Sequence, residues 1–132
     1  MADWLFIVRP GDAAGDGGPS VKERYLGFAE TSPRRNWCLS RRRRMAAGDR
    51  LWVYFASPVR EVAAMAEIDG EPREAPGNPW QPWTFPATLD AGATRNLCRN
   101  PVPLHALSNR RPQGVTRVRD EDLPLLLRHA GL

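Results

Sequence analysis

Leu51-Trp52-Val53-Tyr54-Phe55-Ala56 is the stretch from which the fold is read. It is short, aromatic and β-branched, and apolar at every position, so it reads as a strand covered on both faces. Gly48-Asp49 turns the chain into it and Ser57-Pro58 breaks it. Val59 to Ile68 reads as a second strand that stops at Asp69-Gly70, and the short connection makes the two an antiparallel hairpin. Upstream, Trp4-Leu5-Phe6-Ile7-Val8 is another buried strand, closed by Pro10-Gly11. Gly11 to Pro19 reads as a loop, and Ser20 as the cap of a helix through Val21, Tyr25, Leu26 and Phe28 that ends at Ser32-Pro33. Arg34 to Met45 reads as a loop passing into a helical turn or two. Downstream, Glu71 to Pro82 carries four prolines and is an irregular loop. Trp83 to Leu89 is a third strand of the sheet, with Pro86 marking an edge. Pro103 to Leu107 reads as one helical turn, and Gly114 to Val118 as a short strand. A C-terminal helix carries Leu123, Leu125, Leu126 and Leu127, with Asp122 as cap, Pro124 in its first turn and His129 at the negative end of its dipole. Few helices and several short apolar strands predict an α+β, mostly β domain. Its small, largely antiparallel sheet would be curled or closed into a barrel, because closure removes exposed strand edges.

The chain has 132 residues, the size of one domain, and residues 1–132 are read as a single unit. It is 42% hydrophobic and 26% charged, as ordinary globular proteins are, and no stretch approaches the roughly 18 apolar residues of a membrane helix. No basic region precedes the first apolar run, so a cytoplasmic protein with no membrane partner is expected. Cys38 and Cys98 do not make a disulfide framework. Together with His105 and His129 they lack the spacing of a zinc site, so neither a metal nor another cofactor is expected. Lys and Arg number 19 against 15 Asp and Glu, a net charge of +4, and Lys22 is the only lysine. Arginine's planar fork suits phosphates and base edges.

No catalytic constellation stands out. His105 and His129 sit among apolar neighbours, Asp120-Glu121-Asp122 opens a helix where acidic groups complement the dipole, and no phosphate loop or nucleophile elbow occurs. Cys38 among arginines has no histidine near it in sequence. The chain is therefore read as no enzyme, with no catalytic residues. The informative segment runs from Arg34 to Arg44, where six arginines surround Trp37. Arg35, Arg41, Arg42, Arg43 and Arg44 are candidate phosphate contacts, since a polyanion relieves the repulsion of consecutive cations. Of five tryptophans, Trp4 and Trp52 lie in strands and belong to the core. Trp37, Trp80 and Trp83 lie in polar or proline-rich surroundings and are candidates for stacking on a base.

These residues resemble the EVE domain family. Arg35-Asn36-Trp37, a basic turn, Met45, Gly48-Asp49 and the strand Leu51 to Phe55 followed by Ala56-Ser57 match its order of motifs. Trp4-Leu5-Phe6 looks like its first strand. Pro101-Val102-Pro103-Leu104, and Val115-Thr116-Arg117-Val118 before an acidic-capped helix, look like its C-terminal end. The resemblance implies a PUA-like antiparallel β-barrel with a few flanking short helices, related to YTH and ASCH domains. It also implies a pocket for one flipped, often modified base, of the kind that any reader of a Watson–Crick edge requires. Similarity to YTH domains implies an aromatic cage with Trp37 as one wall and Trp80 or Trp83 as the other. EVE domains are linked with modified cytosines in DNA and with RNA. The family's Tyr-His-Ser turn is Phe55-Ala56-Ser57 here, its Gln-Ala-Arg is Cys38-Leu39-Ser40, and the connecting basic helix is one residue short.

The expected function is a non-catalytic reader that holds a modified cytosine or methylated adenine of DNA or RNA. The expected pocket is Trp37, Asn36, Cys38, Ser57, Trp80 and Trp83, with Asn36 and Ser57 hydrogen-bonding the base edge. A separate effector protein is an expected partner. The alternatives are a module for small molecules or modified nucleosides, or an ASCH-like enzyme using the same pocket.

Overall fold

The computed structural model describes residues 1–9 and 20–132. The loop expected over Gly11 to Pro19 and the side chain of Ser20 lie outside the described residues. Along the chain run β1 (Asp3–Val8), α1 (Ser20–Thr31), β2 (Arg34–Leu39), β3 (Arg50–Phe55), β4 (Glu61–Ile68), β5 (Arg73–Glu74), β6 (Trp83–Leu89), α2 (Ala91–Arg99), β7 (Val102–Pro103), a 3-10 turn (Leu104–Ala106), β8 (Val115–Arg117) and α3 (Leu123–Ala130). One mixed sheet has the order β2-β6-β4-β3-β1-β8, with β5 added to β6 and β7 to β4.

The hairpin at the centre is β3 against β4, antiparallel, with Leu51 opposite Ala66 and a register shift between Val53 and Tyr54. Every residue from Leu51 to Phe55 is buried. Successive side chains of a strand point to opposite faces, so β3 serves two cores. Leu51, Val53 and Phe55 join Trp4, Trp37 and Phe85 on the concave side. Trp52 and Tyr54 join Leu5, Ile7, Leu97 and Leu126 under α2 and α3.

The sheet curls into a half-barrel. Phe6 on β1 and Trp37 on β2 are four strand positions apart in the sheet order. In a flat sheet that separation is about 19 Å; here the two rings lie 5.2 Å apart, edge to face. The expected mostly β architecture is thus observed as a curled half-barrel with three short helices, with the difference that β1 pairs β3 in parallel.

Several local expectations are corrected. Arg34 to Leu39 is a strand, because Trp37 and Leu39 alternate inward while Arg34, Arg35 and Asn36 stay exposed. No helical turn follows it: Arg42 to Ala46 is irregular backbone. β6 is not an edge; it lies between β2 and β4, and Pro86 falls between the residues that pair β5 and those that pair β4, where a missing N–H breaks no ladder bond on that side. Ala91–Arg99 is a helix that the sequence reading passed over, capped by Asp90, whose carboxylate accepts from the Ala93 N–H. The turn read over Pro103 to Leu107 is a two-residue strand and a 3-10 turn.

Two of the core's indoles, those of Trp52 and Trp4, are tied to carboxylates. Trp52 Nε1–H donates to Asp3 (2.9 Å), which also pairs with Arg50 (2.7 Å). Trp4 Nε1–H donates to Asp49 (3.1 Å), which also accepts from the N–H groups of Ala2 (2.9 Å) and Ala46 (3.0 Å). Burial alone would push the Asp49 carboxyl up. Those three donors and the nearby N-terminal charge outweigh it and hold the carboxyl below its ordinary value. Asp122 precedes α3 but does not cap it with its side chain; its carboxylate turns instead to the N–H and hydroxyl of Ser108, both at 2.8 Å.

Candidate functional site

The curl leaves a cavity of about 430 Å³ between β2, β1, α1 and the start of β8. β2 supplies Arg35, Asn36, Trp37 and Cys38 to its wall, and Ser40 and Arg41 continue along it. α1 contributes Arg24, Tyr25 and Phe28, β1 contributes Phe6, and Arg9 follows it. Gly114 and Val115 line it from across the seam, and Gln81 lines it beside the end of β2.

The floor is a chain of aromatic rings. Tyr25 packs edge-on against Phe28 at 5.6 Å and Phe55 at 5.1 Å, and meets Trp37 at 6.0 Å. Trp37 stacks over Phe85 at 6.4 Å with planes 18° apart. It is only 5% exposed, and its indole N–H donates to the Ala87 carbonyl at 3.3 Å. Trp37 is therefore part of both the core and the cavity floor, not a free-standing wall.

The rim is cationic. Five arginines line the cavity, and no Asp, Glu or His does so among the described residues. The Arg35 guanidinium lies 4.0 Å from the centre of the Phe28 ring, which extends the aromatic floor outward as a flat cation. Arg43 reaches across the seam of the half-barrel and donates from Nε to the Val115 carbonyl at 2.8 Å. It thereby ties the irregular arginine segment to β8.

The structure divides the sequence-derived candidates. Asn36, Trp37, Cys38, Arg35, Arg41 and Arg43 meet at this cavity. Ser57 lies exposed in the β3–β4 turn, and neither it nor Trp80, Trp83, Arg42 or Arg44 lines the cavity. Arg42 lies instead over the Trp83 ring, 5.7 Å from its centre. Sequence reasoning missed Tyr25, Phe28, Arg24 and Arg9. The i, i+3 spacing of Tyr25 and Phe28 marks one face of α1, but nothing local says that this face borders β2.

Cys38 and Cys98 are both free thiols. Cys98 is away from the cavity, and burial raises its thiol against the weaker opposing effect of the Lys22 charge. Among the described residues no cluster of His, Cys, Asp or Glu has the makings of a metal site, and no helix is long and apolar enough to cross a membrane. The groups at the cavity offer stacking, cation contact, amide and hydroxyl hydrogen bonding, and the free thiol of Cys38.

No protein-family model matches the chain. No curated protein matches it either. Solved structures do. A protein of Agrobacterium tumefaciens superposes with a TM-score of 0.62 at 18% identity, over 100% of this chain and 94% of that one. A protein of Rhodopseudomonas palustris, solved by NMR, gives 0.61 at 18% identity, over 99% and 94%. The ASCH protein of Zymomonas mobilis gives 0.57 at 15% identity, over 96% and 94%. At these identities the likeness establishes the fold alone: the chain shares the architecture of these structures, an ASCH protein among them, while the PUA-like and EVE resemblance rests on the motifs quoted above.

Proposed function

We propose that this chain is a non-catalytic nucleic-acid-binding domain that takes one nucleotide of a single strand into the cavity. The observation that carries the reading is the ring of five arginines, without a carboxylate among the described lining residues, around an aromatic floor. Such a site favours a ligand that is both anionic and flat. A volume of about 430 Å³ is within the range of small-ligand sites and accommodates a nucleobase with its sugar. The PUA-like fold supports the same reading, since it is a fold used to bind nucleic acids.

In this reading the base lies on the Tyr25, Phe28 and Trp37 floor, and the exposed Asn36 amide meets its edge. Arg35 and Arg41 hold the flanking phosphates, which fixes register without reading sequence. A methylated or hydroxymethylated cytosine or a methylated adenine is the base we assign, in keeping with the EVE resemblance. A methyl group adds apolar area that the aromatic floor removes from water. A separate protein would act on what this chain marks.

The test is fluorescence anisotropy on labelled single-stranded RNA and DNA octamers, with and without a modified base, at two salt concentrations. Arg35→Ala and Arg41→Ala should each weaken binding and flatten the salt dependence, by about 0.7 in log–log slope for each phosphate no longer neutralised. Asn36→Ala should reduce the preference for the modified base and leave that slope unchanged. Salt-insensitive binding, or binding indifferent to all three variants, would overturn the proposal. A mononucleotide bound as tightly as an octamer would move the reading to a free-nucleotide module.

A further inference from the structure

Trp80 is 84% exposed and is the only aromatic residue so exposed among the described ones. Its backbone is nonetheless held. Asn78 Oδ1 accepts from the N–H groups of Trp80 and Gln81, each at 3.1 Å, and the Ala75 N–H donates to the Pro82 carbonyl at 2.7 Å. Below them Arg73 and Glu74 pair with Thr84 and Trp83. The indole is therefore presented on a braced hairpin tip.

Its neighbours straddle two basins. Gln81 lines the arginine-rimmed cavity, whereas Pro82 and Trp83 line a second, mostly apolar basin of about 380 Å³ with Pro76 and Pro79. The arginine segment divides the same way, with Arg41 on the cavity and Arg42 over Trp83. Next along the chain from Gln81 stand the exposed Trp80 on one side and, on the other, Trp83 with Arg42 over its ring. We infer that Trp80, Trp83 and Arg42 form a second station that stacks the base adjoining the one in the cavity, so that the chain binds a run of at least two nucleotides. This rests on the nucleotide-binding reading of the cavity. Stacking needs only the π-face that every base has, so this station is sequence-tolerant, unlike the site at Asn36. Nucleic acid is favoured over a protein partner because the platform continues the cationic rim. Glu74, the one carboxylate of the second basin, lies in β5, outside the arginine segment.

Trp80→Ala removes an exposed side chain and should leave the thermal midpoint unchanged. It should weaken octamer binding at least about five-fold, the lower end for one stacked base, while leaving competition by a mononucleotide as it is in the parent. Quenching of tryptophan fluorescence by the octamer should fall with it. Arg42→Ala should lower the octamer salt slope without affecting the mononucleotide. If Trp80→Ala binds every length like the parent while Arg35→Ala and Arg41→Ala weaken them, the second station is refuted and the cavity reading stands. If no variant changes binding at any length, the cavity reading fails and takes this inference with it. If Trp80→Ala abolishes a self-association seen in sedimentation and leaves octamer binding unchanged, the indole serves a second copy of the chain and the inference is overturned.

Discussion

Trp37→Ala should remove a large part of the molecule's stability margin before it says anything about binding. Trp37 is 5% exposed, stacks on Phe85, meets Phe6 and Tyr25 edge-on or tilted, and satisfies the Ala87 carbonyl. Truncating a buried tryptophan or phenylalanine to alanine costs about 3–5 kcal/mol. The space left here adjoins an open cavity that water enters, so the lower end, about 3 kcal/mol, is expected. For a domain of this size that is a fall of roughly 10–15 °C in thermal midpoint, out of a total stability of about 5–15 kcal/mol. Urea unfolding followed by circular dichroism measures it, with the slope of the transition unchanged and the midpoint lowered. Trp37→Phe keeps most of the packing and should lose about 1–2 kcal/mol, the indole N–H included. A loss under about 1 kcal/mol for Trp37→Ala would refute the argument, because it would mean that the ring is not part of the core.

Four further outcomes follow from the contacts described. Asp49→Ala leaves the Trp4 indole and two backbone N–H groups without their acceptor and should cost about 2–4 kcal/mol in urea titration. Because the folded Asp49 carboxyl lies below its ordinary value, its contribution is fully present above the unfolded value near 3.9. It is lost as pH falls through the lower folded value, so the parent should lose stability on acidification more steeply than Asp49→Asn. Asp122→Ala should cost about 1–2 kcal/mol by releasing Ser108, and Ser108→Ala in the same background should add almost nothing to that loss, as a double-mutant cycle would show. Arg43→Ala should cost about 0.5–1.5 kcal/mol and speed amide exchange in β8, since it removes the bond to the Val115 carbonyl that spans the seam.

What was legible in the sequence was whatever its local pattern encodes. β1, β3, β4, β6 and α3 are apolar runs or leucine-rich periodicities with clear breakers, and each stands within a residue or two of its expected place. β2 was hidden because only Trp37 and Leu39 carry its alternation, and the arginines around them read as a solvated loop. α2 was hidden because its buried face is Ala93, Thr94 and Leu97, too small to stand out, although Asp90 was a usable cap signal. The parallel pairing of β1 with β3 has no local signature at all. The tryptophans show the same limit. Trp37, in a polar setting, is buried by strand alternation, whereas Trp80 is the exposed one. Half of the cavity wall was visible in the Arg35 to Arg41 segment. The other half comes from α1 and β1, and proximity across a curled sheet is a tertiary fact.

β1 pairs on one side with β3 and on the other with β8, where Leu5 lies opposite Thr116. β1 emerges from the ribosome before either partner, and its second edge waits until residues 115–117 have been made. Contacts so distant along the chain slow folding. In the interval β1 offers unpaired N–H and C=O groups beside Leu5 and Ile7, the kind of template on which strands of other chains add. A chain terminated just short of Val115 should therefore accumulate as aggregate rather than as a smaller version of the same domain.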